Sequence, residues 1–203
     1  RGMKTESRPL EAAALSAEPS ASPAAPQRRI SLDVMRGATI AGMILVNNPG
    51  SWGHIYGPLK HAPWHGWTPT DLVFPFFLFM VGVAIPLGLG KRLEEGLVAG
   101  RGPATAVPKV LRRGLLLFAF GMLLAGFPTY DLSTIRIMGV LQRISVCYVL
   151  AALLYLFTSV RTIILVAGLC LALYWPLITL VPVPGLGAPS IDAAGPHLVG
   201  WLD

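Results

Sequence analysis

The chain has 203 residues, of which 54% are hydrophobic and only 13% charged. Soluble domains carry roughly a quarter charged residues, so this composition excludes an ordinary water-soluble globule and points to the membrane. The formal charge of +6 does not point to nucleic acid, because the basic residues gather between apolar runs and not along one soluble face.

Residues 1–29 are rich in Ala, Ser, Pro and charge and lack the apolar stretch of a signal peptide. They read as a disordered cytoplasmic tail. Five apolar runs follow at about 31–47, 71–90, 110–127, 136–157 and 161–181. Each is close to the roughly 17–25 residues that a bilayer-spanning helix needs. The expected fold is all-α, a polytopic bundle of antiparallel membrane helices. The first run is the weakest, because Asp33 and Arg36 interrupt it.

Lysines and arginines set the expected orientation. Of the sixteen, twelve lie in the tail, in the connection between the second and third runs, or at Arg161. Only Lys60 and Arg136 fall on the opposite side. That bias predicts a cytoplasmic N-terminus and puts the connection at 48–70 outside.

Ionisable side chains inside apolar runs are costly and usually face a bundle interior or a watery cavity. Asp33 and Arg36 are three apart, so they can pair, or Arg36 can meet a ligand phosphate. Arg143 lies two turns into the fourth run and needs Asp71, Asp33 or a phosphate as partner. Asp71 opens the second run after "WTPT", where Thr68 or Thr70 can cap the helix with Asp71 in its first turn, or Asp71 can orient His61. His54, His61 and His65 share the outer connection with Trp52, Trp64 and Trp67. Asn47 and Asn48 end the first run on that same side. The His61/His65 pair has Pro63 between its members, which disfavours the regular helix that metal ligation at this spacing would use. No metal is expected. Cys147 and Cys170 fall within apolar runs at no metal-like spacing and are expected as small core side chains.

Three separated stretches carry a resemblance: "RRISLDVMRGATIAGMILVNNPG", "LKHAPWHGWTPTDLVFPFFLFMVGVAIPL" and "IRIMGVLQRISVCYVLAALL". Together they resemble the heparan-α-glucosaminide N-acetyltransferase family. The resemblance covers about residues 28–203. It implies acetyl transfer from cytoplasmic acetyl-CoA to an amino sugar or glycan on the extracytoplasmic side. It also implies His61 as the catalytic histidine and Asn47 as the functional asparagine. His61 could act as a general base or as an acetylated nucleophile, with Asp71 orienting its ring and Asn47 serving the oxyanion. Arg36, Arg112, Arg113 and Arg143 are the candidates for the phosphates of acetyl-CoA.

The family carries further spans beyond these five, so the chain is expected to be an N-terminal half that needs the remainder for activity. A bacterial protein of the inner membrane is expected, with an envelope amino sugar as acceptor. The oligomeric state stays open, a homodimer included. The competing reading is a transporter or channel subunit, with Arg36, Arg143 and Asp71 along its pathway and a second helix broken at Pro75 and Pro86.

Overall fold

The computed structural model describes residues 30–128, 130, 137–185, 187–192 and 198–202. The tail at 1–29 and Arg136 lie outside the described residues, as does the start of the expected fourth run. Among the described residues there are six α-helices: α1 (Ile30–Asn47), α2 (Pro69–Val98), α3 (Val107–Gly126), α4 (Val140–Phe157), α5 (Val160–Leu180) and the short α6 (Leu198–Leu202). Two 3₁₀ turns, Gly57–Leu59 and Pro103–Ala106, precede α2 and α3. Among the described residues the only bridge of β type joins Val183 and Gly187.

Four of these helices, α1, α2, α4 and α5, are long and apolar enough to cross a membrane. The third expected span, α3, is 20 residues long but holds Lys109, Arg112 and Arg113 within its first two turns. Beyond Arg113 it carries no charged residue.

The second helix is longer than the apolar run that announces it. Thr68 is its N-cap and Pro69 its first residue, where a missing N–H costs nothing. It then continues past Gly90, because Lys91, Leu93, Glu94 and Glu95 are strong helix formers. The stop is made by Gly100, at φ 68°. There the Arg101 N–H donates to Gly96 O at 2.7 Å and the Gly100 N–H to Leu97 O at 3.0 Å. This paired closure needs a left-handed residue, which glycine supplies without steric cost. Pro75 and Pro86 both lie inside the continuous helix. The break that a transporter-like second helix would show is therefore absent.

The core sits where α2, α3 and α4 meet. It is built from Ile85 and Leu89 of α2, Val110 of α3, and Tyr148, Ala152 and Leu156 of α4. The third and fourth helices approach closely through small residues, as membrane helices do when apolar surface alone cannot drive them together. At Gly121 a Cβ would lie 2.7 Å from the amide of Gln142, and at Gly114 it would run into Val149 Cγ2. Ser145 Oγ donates to Gly114 O across this interface at 2.6 Å.

The first helix packs on the second with Gly42 facing Val73, whereas α5 buries none of its residues. Cys147 and Cys170 prove exposed and not part of the core, since they project from faces of α4 and α5 that no neighbouring helix covers. The Trp64 indole N–H donates to Ile191 O at 2.6 Å, which ties the connection before α2 to the segment after α5 and sets both at one end of the molecule.

Candidate functional site

The start of α2 organises the histidine loop. His61 Nδ1 lies 2.6 Å from Asp71 Oδ1. The other carboxylate oxygen, Oδ2, accepts the Thr68 N–H at 2.8 Å and the Ala62 N–H at 3.2 Å, with Thr68 Oγ1 at 3.1 Å. A place in the first turn behind a threonine cap and a contact with His61 were alternatives in the sequence, and in the structure Thr68 is the cap while Asp71 serves both the helix start and the ring. One oxygen closes the first turn of the helix while the other holds the imidazole.

A carboxylate offers only acceptors, so the hydrogen of this contact belongs to His61 Nδ1. In the neutral ring that leaves Nε2 with a free lone pair, the arrangement required of a base or nucleophile. The imidazole is 71% exposed, against 28% for the carboxylate. A reactant can therefore reach the ring while its orienting partner stays sheltered. The loop is fixed at further points, since the buried Thr70 hydroxyl donates to Pro58 O at 3.2 Å.

Asn47 and Asn48 end α1, and the antiparallel packing of α1 on α2 brings them to the end where Asp71 sits. Their side-chain nitrogens donate back to Met43 O and Ile44 O, each at 2.8 Å. An amide nitrogen carries two hydrogens, so the Asn47 side chain keeps one N–H and its carbonyl for another partner. His54 and His65 are both exposed, and among the described residues no three His, Cys, Asp or Glu side chains are grouped to hold a metal.

A second feature lies deeper. A cavity of about 490 Å³ between α1, α2, α3 and α4 is lined by Phe77, Met80, Ile85 and Tyr148, with Arg36, Lys109 and Arg113 as its cations. Arg113 is steadied by the Tyr148 ring, whose centroid is 5.3 Å from the guanidinium carbon. Arg36 has Asp33 at 3.7 Å as its ion-pair partner. Along α2 the cavity runs from Phe77 to Leu89. At 1.5 Å of rise per residue it begins about 9 Å along the helix from Asp71 and ends about 27 Å from it.

The structure thus unites two of the four expected phosphate ligands, Arg36 and Arg113. Arg112 faces a separate groove of about 470 Å³ with Leu111, Leu115 and Phe118. Arg143 is not two turns deep, because Gly139 is the N-cap of α4 and residue 143 falls in the first turn. Its Nε donates to Met138 O at 3.1 Å. Asp71, committed to His61 and its own helix start, is not the partner expected for it. Lys109 is the cavity residue missed in the sequence. Its spacing of four from Arg113 puts the two on one helical face, a signal available in the sequence.

A family model described as heparan-alpha-glucosaminide N-acetyltransferase, catalytic, matches residues 28–191. The human protein of the name heparan-alpha-glucosaminide N-acetyltransferase is 37% identical over 138 residues, which cover 66% of this chain and 20% of that protein. The mouse protein of the same name is 34% identical over 131 residues, covering 62% and 19%. The chain thus aligns with about a fifth of the length of these two relatives. The matched region contains both the His61–Asp71 pair and the cavity cations, and on this match the chain belongs to the heparan-alpha-glucosaminide N-acetyltransferase catalytic family.

Proposed function

We propose that this chain forms part of a transmembrane N-acetyltransferase that moves an acetyl group from acetyl-CoA to an amino sugar or glycan. His61, oriented by Asp71, is its reactive residue. The observation that carries the reading is the 2.6 Å contact between His61 Nδ1 and Asp71 Oδ1, on an imidazole that otherwise faces the exterior. Two named relatives, each matched over part of its length, support the reaction class.

In this mechanism the acceptor amine approaches Nε2 and gives up a proton to it while its nitrogen attacks the thioester carbonyl. The C–N bond forms, the C–S bond breaks, and His61 returns the proton to the departing thiolate. The free N–H of Asn47 serves the oxygen on which negative charge gathers. Acetylation of His61 itself, followed by transfer to the amine, uses the same lone pair. The phosphates of acetyl-CoA are assigned to Arg36, Lys109 and Arg113, with the thioester directed along the cavity toward Phe77. Arg112 and Arg143 have no part in that cavity and are left out of the assignment.

The charge bias of the sequence supports a cytoplasmic N-terminus, with donor entry from the cytoplasm, the His61 loop on the extracytoplasmic face, and α3 as a fifth span. Placement in a bacterial inner membrane, with an envelope amino sugar as acceptor, completes the proposal.

The test is transfer of labelled acetyl from acetyl-CoA to glucosamine by the full-length protein. Wild type should be active and His61→Ala should fall to background at equal expression. Equal transfer by the two would remove His61 from the reaction.

A further inference from the structure

The short segment Lys60–His61–Ala62 is held to the start of α2 at three points. The Lys60 carbonyl accepts from Thr68 Oγ1 at 2.8 Å, the His61 ring meets Asp71 Oδ1, and the Ala62 N–H donates to Asp71 Oδ2. Thr68 is common to both sides of this arrangement. Its backbone N–H donates to Asp71 Oδ2 at 2.8 Å, and its hydroxyl lies 3.1 Å from the same oxygen. One hydroxyl hydrogen serves one acceptor at a time, and the shorter contact favours Lys60 O. The hydroxyl therefore fixes the peptide next to His61, while the backbone N–H fixes the carboxylate that grips the ring.

We infer that Thr68 is a positioning residue for His61. Through Lys60 O and Asp71 it holds the imidazole and the carboxylate in register, and so maintains the tautomer in which Nδ1 carries the hydrogen and Nε2 the lone pair. Without a partner at Nδ1 a neutral imidazole favours the opposite form, so a loosened loop would leave the hydrogen on Nε2 and the lone pair on Nδ1. The catalytic consequence rests on the acetyl-transfer reading, whereas the tautomer does not.

The experiment compares wild type, Thr68→Ser and Thr68→Val in the full-length protein. It uses ¹⁵N-labelled histidine and spectra taken above the pH at which the ring is neutral. The His61 signals are identified by their loss in His61→Ala. Wild type and Thr68→Ser should show the Nδ1–H form, and Thr68→Val should show a mixture. In the same samples Thr68→Val should lose about tenfold in kcat with KM held within about twofold, and Thr68→Ser should restore the rate. If Thr68→Val does not fold, Thr68→Ala removes the same hydroxyl and is read in the same way.

A retained Nδ1–H signature in the variant lacking the hydroxyl, or an Nε2–H form in wild type, would overturn the inference. A shifted tautomer with unchanged kcat would overturn its catalytic part. Wild type that transfers no acetyl would defeat the proposed function instead, and the spectra would still decide the positioning role.

Discussion

Asp71 performs two tasks with two oxygens, and the division between them makes a sharp substitution possible. In Asp71→Asn the helix start still offers the Thr68 and Ala62 N–H groups, which need an acceptor. The amide must turn its carbonyl to them and its NH₂ toward His61 Nδ1. That reverses the demand on the ring, since Nδ1 becomes the acceptor and Nε2 carries the hydrogen. In serine hydrolases the analogous exchange gives the wrong tautomer and a large loss of rate. Here kcat for acetyl transfer should fall by roughly a hundredfold or more, with the protein still folded by circular dichroism. A rate within about threefold of wild type would mean that Asp71 only caps its helix.

Helix pairing is decided by single atoms. Although Gly82 and Gly121 look alike in the sequence, as small residues in apolar runs, their surroundings differ. A Cβ at Gly121 meets Gln142 at 2.7 Å and Leu141 Cβ at 3.0 Å, whereas nothing lies within 4 Å of one at Gly82. Gln142 is itself 1% exposed, so its buried amide has little room to give way. Gly121→Leu should therefore destabilise the α3–α4 pair by about 1–3 kcal/mol. Gly82→Ala should be neutral or stabilising by up to about 1 kcal/mol. Thermal unfolding in detergent separates them, and equal effects would show that α3 and α4 do not rely on this contact.

At the scale of the whole molecule, the His61–Asp71 pair and the basic cavity are set apart along α2. Asp71 marks one and Phe77 to Leu89 the other, so the proposed function requires a long donor to join them. Binding that favours the folded protein raises its melting temperature, and saturating acetyl-CoA should do so here. Arg113→Gln removes one of three cavity cations and should weaken that binding about tenfold, equivalent to about 1.4 kcal/mol. Arg112→Gln, in a different groove, should leave it unchanged. An identical loss in both variants would disconnect the cavity from the donor.

Much of this was legible in the chain itself. The apolar runs announced the helices, because a bilayer requires backbone hydrogen bonds to be satisfied within each segment. The block around "KHAPWHG" singled out His61 as the candidate reactive residue. The run lengths were less informative. Hydropathy stops at Gly90, yet α2 continues to Val98, since charged residues leave the lipid without leaving the helix. The same limit misplaced Arg143, whose apparent depth depended on where α4 begins. It also misassigned Cys147 and Cys170, whose apolar neighbours in sequence are not neighbours in a core.

The sequence by itself determined the helical membrane architecture and the family, and it singled out His61 as the candidate for the proposed reaction. Each rests on local pattern or on residue identity, which need no knowledge of the partners in space. Tertiary structure alone decided that both oxygens of Asp71 are used, that Thr68 reaches Lys60, and that Arg36 shares a cavity with Arg113 and not with Arg112. The first two depend on hydrogen bonds of about 3 Å that form only when the loop folds back on the start of α2, and the third depends on how the helices pack around the cavity.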